Sequence, residues 1–196
     1  MKTLITTSLI VFALLSVLSI TNVSAIEKNP VATIKIPAFK TISVKGNVEV
    51  TIIQCDHAGI SYGDDNTGTV KVTQNGDHLK IISTSTEKAK LTVYVKDFYR
   101  IEGSENAIVK TEGKLITKYL QIFLTGNAYA EINTSSEGLY TVISDHADLK
   151  LSGSTDNHTL VMGKSPKLTI DKFAALKTNI SSIETVAVEK ELASIK

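Results

Sequence analysis

No tryptophan occurs in the 196 residues, there is one cysteine, and aromatic residues make up only 6% of the chain. The lone Cys55 excludes an intramolecular disulfide and reads as a small buried hydrophobe rather than a reactive thiol. Scarce aromatics beside abundant Ile, Val, Leu and Thr argue against a globular helical core and for stacked strands. An excess of one charge sign is also missing. The formal net charge is +1 at pH 7, and no Lys/Arg cluster supplies the footprint of a nucleic-acid binder or of a protein held on anionic membrane. Nucleophile-elbow, phosphate-loop and dinucleotide fingerprints are absent. His57 and His78 stand alone beside turn residues, and no His pair has metal-ligand spacing. Asp64-Asp65-Asn66 lacks the closing acidic ligand of a calcium loop and reads as a turn. The sequence therefore asks for no metal and no cofactor.

One long apolar run is present, over residues 4–20, behind Lys2 and ahead of the small residues Val23-Ser24-Ala25. That is the pattern of a signal peptide spanning residues 1–25, cleaved near Ala25. No basic stop-transfer cluster follows, and Ile26 rather than Cys begins the mature chain. The expectation is export to the periplasm or cell surface without a stable membrane anchor. Residues 26–196 contain no linker or low-complexity tract and read as a single domain.

The organising feature lies in residues 120–170, where one phrase recurs three times at a spacing of 19 residues. The copies begin at Leu120, Leu139 and His158. Each is apolar or small at alternate positions and breaks near its middle at a turn, which is strand, corner, strand with one buried face. A fixed period near 20 residues is how a stack of β coils appears in sequence. The fold class is thus all-β and β-solenoid-like, with about 19–21 residues per coil. A weaker corner at Gly103-Ser104-Glu105-Asn106-Ala107 precedes the Asn127 corner by 21 residues, and Gly46-Asn47 divides another strand pair in residues 39–53. Asn75-Gly76 between Val72 and Leu79 signals a hairpin, so the N-terminal half should include antiparallel strands. Residues 187–196 suit a short capping helix at the coil end, since an open end is a route to self-association.

In such a stack equivalent residues of successive coils touch. The inward ladders are Ile122–Thr141–Leu160, Leu124–Ile143–Met162, Ala130–Leu149–Leu168 and Ile132–Leu151–Ile170. Small residues Ala128, Ala147 and Pro166 narrow the corner, Gly126 and Asp145 suit positive φ, and Asn127, His146 and Ser165 form a polar corner ladder. Outward, Phe123, Val142 and Val161 align, with Gln121, Tyr140 and Thr159 beside them. Tyr129, Asp148 and Lys167 form a second, solvated ladder. An apolar outward strip needs a cover or a partner, so Phe123, Tyr140, Val142 and Val161 are the candidate binding residues, with the two aromatics placed to stack on a sugar ring.

Asp145, His146, Asp148, Asp156 and His158 supply the raw material of acid–base chemistry. The repeat accounts for them as corner, outward-strand and turn residues, so none is assigned a catalytic role. The segment Phe39-Lys-Thr-Ile-Ser-Val-Lys-Gly-Asn-Val-Glu-Val-Thr-Ile, with Leu124-Thr-Gly126-Asn127-Ala128 and Leu151-Ser-Gly153, resembles the GIN domain family of auto-transporter adhesin head domains. The resemblance covers most of residues 31–170. It implies a right-handed parallel β-helix in an exported bacterial protein and supplies no catalytic residues. The expected function is non-enzymatic binding, adhesion or scaffolding at the cell envelope, with a glycan or an envelope protein as partner and no nucleic acid. The alternative is a carbohydrate-active enzyme, a polysaccharide lyase or hydrolase, built from Asp145, Asp148 and Asp156 with Lys150 or Lys167.

Overall fold

Alternating β-branched and polar residues become strands wherever the sequence shows them. The computed structural model describes residues 33–63 and 69–184. The expected signal peptide, the Asp64-Asp65-Asn66 turn and the 187–196 cap lie outside the described residues. The strands are β1 (Thr33–Lys35), β2 (Thr41–Gly46), β3 (Val48–Gln54), β4 (Gly59–Tyr62), β5 (Val70–Asn75), β6 (His78–Ser83) and β7 (Ala89–Val95). They continue as β8 (Arg100–Ser104), β9 (Ile108–Glu112), β10 (Leu115–Leu124), β11 (Tyr129–Ile143), β12 (Asp148–Met162) and β13 (Lys167–Ser182). The fold is all-β, a mixed sheet that is open and strongly curled. The described strands all belong to one compact unit, Val31–Lys196.

Parallel pairing runs at the expected 19-residue offset from β10 through β12 and into the start of β13. Ile122 faces Thr141 and Thr141 faces Leu160, while Leu124, Ile143 and Met162 align in the same way. Two successive corners hydrogen-bond to the one before: Asn127 N donates to Glu105 O at 2.8 Å, and His146 N to Gly126 O at 2.9 Å. Within the corners, Ala107, Ala128 and Ala147 donate back to Ser104, Thr125 and Ser144, closing tight turns. Glu105, Gly126 and Asp145 hold φ of 59°, 69° and 57° at the same turn position. Asp145 also accepts from Gly126 N of the preceding corner through Oδ2 at 2.8 Å, which ties the two corners together. Asn127 Nδ2 donates to Asn106 Oδ1 at 3.3 Å, which begins the polar corner ladder.

The N-terminal half uses the same corner but a different order. β2 and β3, divided at Gly46-Asn47, lie between β6/β7 on one side and β8/β9 on the other, all in parallel. Residues 84–88 are therefore another corner, and Asn47 Nδ2 donates to Thr86 O at 2.6 Å. The antiparallel pairs expected here are present as β1–β4, β4–β7 and the β5–β6 hairpin. Ile42, Val44, Val48, Val50 and Ile52 all point into one continuous core with the C-terminal ladders.

One ladder is corrected. Ile170 does not continue Ile132–Leu151 inward, because the β12–β13 register shifts between Lys150 and Ser152 and leaves Ile170 48% exposed. The cause is a β-bulge, which sets two residues against one and turns the next side chain outward. Among the described residues β13 is hydrogen-bonded only to β12, so this last strand lacks the second neighbour that buries the others.

Candidate functional site

The outward surface divides into two kinds of face. On the first, around β3, β9, β11 and β12, charges stitch neighbouring strands together. Lys110 Nζ lies 2.7 Å from Glu49 Oε1, Lys150 Nζ 2.7 Å from Glu131 Oε1, and Lys167 Nζ 3.5 Å from Asp148 Oδ2. The Lys150 hydrogen bond holds the Glu131 carboxyl below its usual value, while burial pushes the Tyr129 phenol up. These residues satisfy one another across the ladder, as cross-strand pairs do.

The second face carries the aromatic residues. Tyr99 precedes β8, Tyr119 lies on β10 and Tyr140 on β11; their exposures are 42%, 58% and 36%. Ile116 on β10 is 68% exposed beside them. Tyr119 packs over Gly138, where an added Cβ would fall 2.8 Å from Tyr119 Cδ1. The bare glycine is what lets the ring lie against the sheet. Lys118 Nζ stands 5.5 Å from the Tyr119 ring centroid. Phe123 and Tyr140 are 5.8 Å apart at 55°, and Arg100 covers the other side of Phe123 at 4.6 Å while its Nε donates to Gln121 Oε1 at 2.8 Å. Phe123 is thus a half-buried support on which Tyr140 rests. Val142 is half-buried and Val161 buried in the same ladder.

Three adjoining depressions run along this face. The largest, about 710 Å³, lies between Gln54, Ile116, Ser136 and the carboxylates Asp97, Glu137 and Asp156. A second, about 450 Å³, shares Asp97 and Lys118 with it and adds Tyr99 and Tyr119. The third, about 230 Å³, shares Tyr119 and Gln121 with the second and ends between Tyr140 and Thr159. Gln54 fixes the start of β10 beneath the groove: its Nε2 donates to Ile116 O at 2.9 Å and its Oε1 accepts from Ile116 N at 2.7 Å. Sequence reasoning found Tyr140 and Phe123 because they lie inside the repeat. Tyr119 and Tyr99 precede the first full copy, and only their alternation with inward Leu120 and Phe98 marks them as outward.

The acidic constellation is divided. Asp145 accepts from the preceding corner at Gly126 N and Asp148 pairs with Lys167, whereas Asp156 opens into the large depression, whose lining includes neither of the other two. His158 is buried, with Nε2 3.2 Å from Thr141 Oγ1 and its ring edge-on to Phe173 at 5.5 Å. Burial pushes its imidazole below the ordinary 6.5. The unfolded chain therefore takes up a proton that the fold resists. Stability is full above the unfolded pKa and declines as pH falls from there toward the lower folded value. Thermal unfolding followed from about pH 7 to 5 should show a loss that His158→Gln lacks.

Cys55 is a second correction. It is half-exposed, not a small buried hydrophobe, because β3 ends at Gln54 and the chain turns outward there. His57 is not isolated: it lies against Cys55, Asp56 and Tyr94.

Residues 38–184 match the sequence family described as "Putative auto-transporter adhesin, head GIN domain". No curated protein matches the sequence. Among solved structures, the fold is similar to a "putative adhesin" from Parabacteroides distasonis ATCC 8503, with TM-score 0.59, 12% identity and coverage of 77% of this chain and 76% of that one. A "putative adhesin" from Parabacteroides merdae ATCC 43184 gives TM-score 0.57, 14% identity and coverage of 78% and 76%. A "putative lipid binding protein" from P. distasonis ATCC 8503 gives TM-score 0.57 and 12% identity, covering 78% and 77%. Identities this low carry the fold alone.

Proposed function

From the premise that this chain belongs to the GIN head-domain family of auto-transporter adhesins, we propose that it is an exported binding protein of the cell envelope whose tyrosine-lined groove takes a glycan. The exposed run of Tyr99, Tyr119 and Tyr140 along two adjoining depressions that share Tyr119 carries this reading. Apolar ring faces left in water mark a binding surface, and flat aromatic rings with polar groups at their margins match a pyranose, which is apolar on its ring faces and polar at its rim. Asp97, Lys118, Gln121 and Thr159 supply such polar groups here. The parallel corners at a 19-residue period support a right-handed coil stack as the scaffold. The leader over residues 1–25 supports export, followed by release to the periplasm or surface as one domain. No helix among the described residues is long and apolar enough to cross a membrane.

The test is a glycan-array screen of the exported protein, with product analysis of each ligand found. Tyr119→Ala combined with Tyr140→Ala should weaken binding by at least about tenfold, or about 1.4 kcal/mol. Both rings are solvent-exposed, so the unfolding free energy should change little. Undiminished binding, or a stability loss of several kcal/mol, overturns the reading. Asp97, Glu137 and Asp156 face one depression, so depolymerised product would move the assignment to a carbohydrate-active enzyme.

A further inference from the structure

A different set of donors meets at the turn after β3. Cys55 N donates to Val95 O at 2.8 Å, which pins the residue to the end of β7. Two residues on, the His57 ring stacks on Tyr94, with centroids 5.6 Å apart and 21° between the planes. The stack holds the Nδ1 edge toward Cys55, whose Sγ lies 3.6 Å from Nδ1 and 3.4 Å from His57 O. Asp56 Oδ1 approaches the same Nδ1 to 2.8 Å. Sulfur, imidazole nitrogen and carboxylate oxygen all lie within 4.8 Å of one another.

We propose that Cys55, Asp56 and His57 form a surface site for a zinc-class divalent cation. Bond lengths of about 2.3 Å to sulfur and 2.0–2.1 Å to nitrogen or oxygen put tetrahedral S···N and N···O edges at about 3.5 and 3.3 Å. The sulfur–nitrogen edge is already at that length. The nitrogen–oxygen edge needs to open by about half an ångström, a movement of the exposed Asp56 side chain alone. Binding releases the thiol proton to solvent and leaves the neutral imidazole protonated at Nε2 instead of at the Nδ1 that faces Asp56, so one thiolate and one carboxylate neutralise the dication. The donor set selects a borderline-soft ion over calcium or magnesium, which take oxygen ligands. Three protein ligands leave the fourth position open to water.

The experiment is titration of the reduced, exported protein with Co²⁺, followed by displacement with Zn²⁺. One equivalent of Co²⁺ should give a thiolate-to-metal charge-transfer band that Zn²⁺ removes, and Zn²⁺ should slow alkylation of Cys55. Cys55→Ser should abolish the band. His57→Ala should weaken binding by more than about tenfold, the lower bound even for residues that only orient ligands. Asp56→Asn should weaken it too. These side chains lie in an exposed turn, so the variants stay folded and the comparison remains interpretable. Absence of the band, or a band unchanged in His57→Ala, overturns the site.

Discussion

Gly153→Ala should destabilise the protein by more than about 3 kcal/mol, beyond the usual range for a single substitution. Gly153 lies inside β12 opposite Thr134 and holds φ of 97°. A methyl group there would overlap the Thr134 carbonyl oxygen of the neighbouring strand. That carbonyl is backbone within the sheet, so relief requires moving the strand rather than turning a side chain. The left-handed conformation adds about 1–2 kcal/mol for any residue with a Cβ. Gly46 repeats the situation at the first corner, where φ is 88° and a Cβ would overlap the Ser83 carbonyl. Gly113, with φ of 79°, has open space at the same position. Gly113→Ala should therefore cost only the conformational part. Urea unfolding of the three variants separates the two causes: equal, small losses in all of them would show that the close backbone approach carries no energy.

Leu149→Ala should cost about 2–5 kcal/mol, the range for truncating a buried leucine. Leu149 is fully buried in β12, between Ala130 of β11 and Leu168 of β13. Strands on both sides keep the wall from collapsing into the space. Ile180 provides the contrast. It pairs with Leu160 and so extends the inward ladder of Ile122 and Thr141 by one rung. Yet it is 71% exposed, and Ile180→Ala should change stability by no more than about 0.5 kcal/mol. Denaturant unfolding measures both. A large loss at Ile180 would mean that the last rung is buried in solution.

Sequence reasoning succeeded where information is local and repeats. The alternation within each phrase determined which side chains enter the core, because successive strand residues point to opposite faces. The 19-residue period determined the parallel register of β10, β11 and β12, because where consecutive strands pair in parallel the chain period and the pairing offset are the same quantity. Gly126 and Asp145 marked their corners because few residues tolerate positive φ there.

Tertiary structure decided what periodicity does not encode. β2 and β3 sit between β6/β7 and β8/β9, an order in space that departs from order in the chain; β4 and β5 intervene and erase the period. The bulge at Ile170 and Asp171 turned an apolar residue outward although its sequence position matched the ladder. The groove joins Tyr99 from the segment before β8 with Tyr119 of β10 and Tyr140 of β11, with the bare backbone of Gly138 giving Tyr119 its seat. Cys55 and His57 became neighbours with a shared orientation because Tyr94, some 40 residues away, stacks on the imidazole. A local pattern dictates which face a side chain takes, while contacts between strands remote in sequence dictate which faces meet.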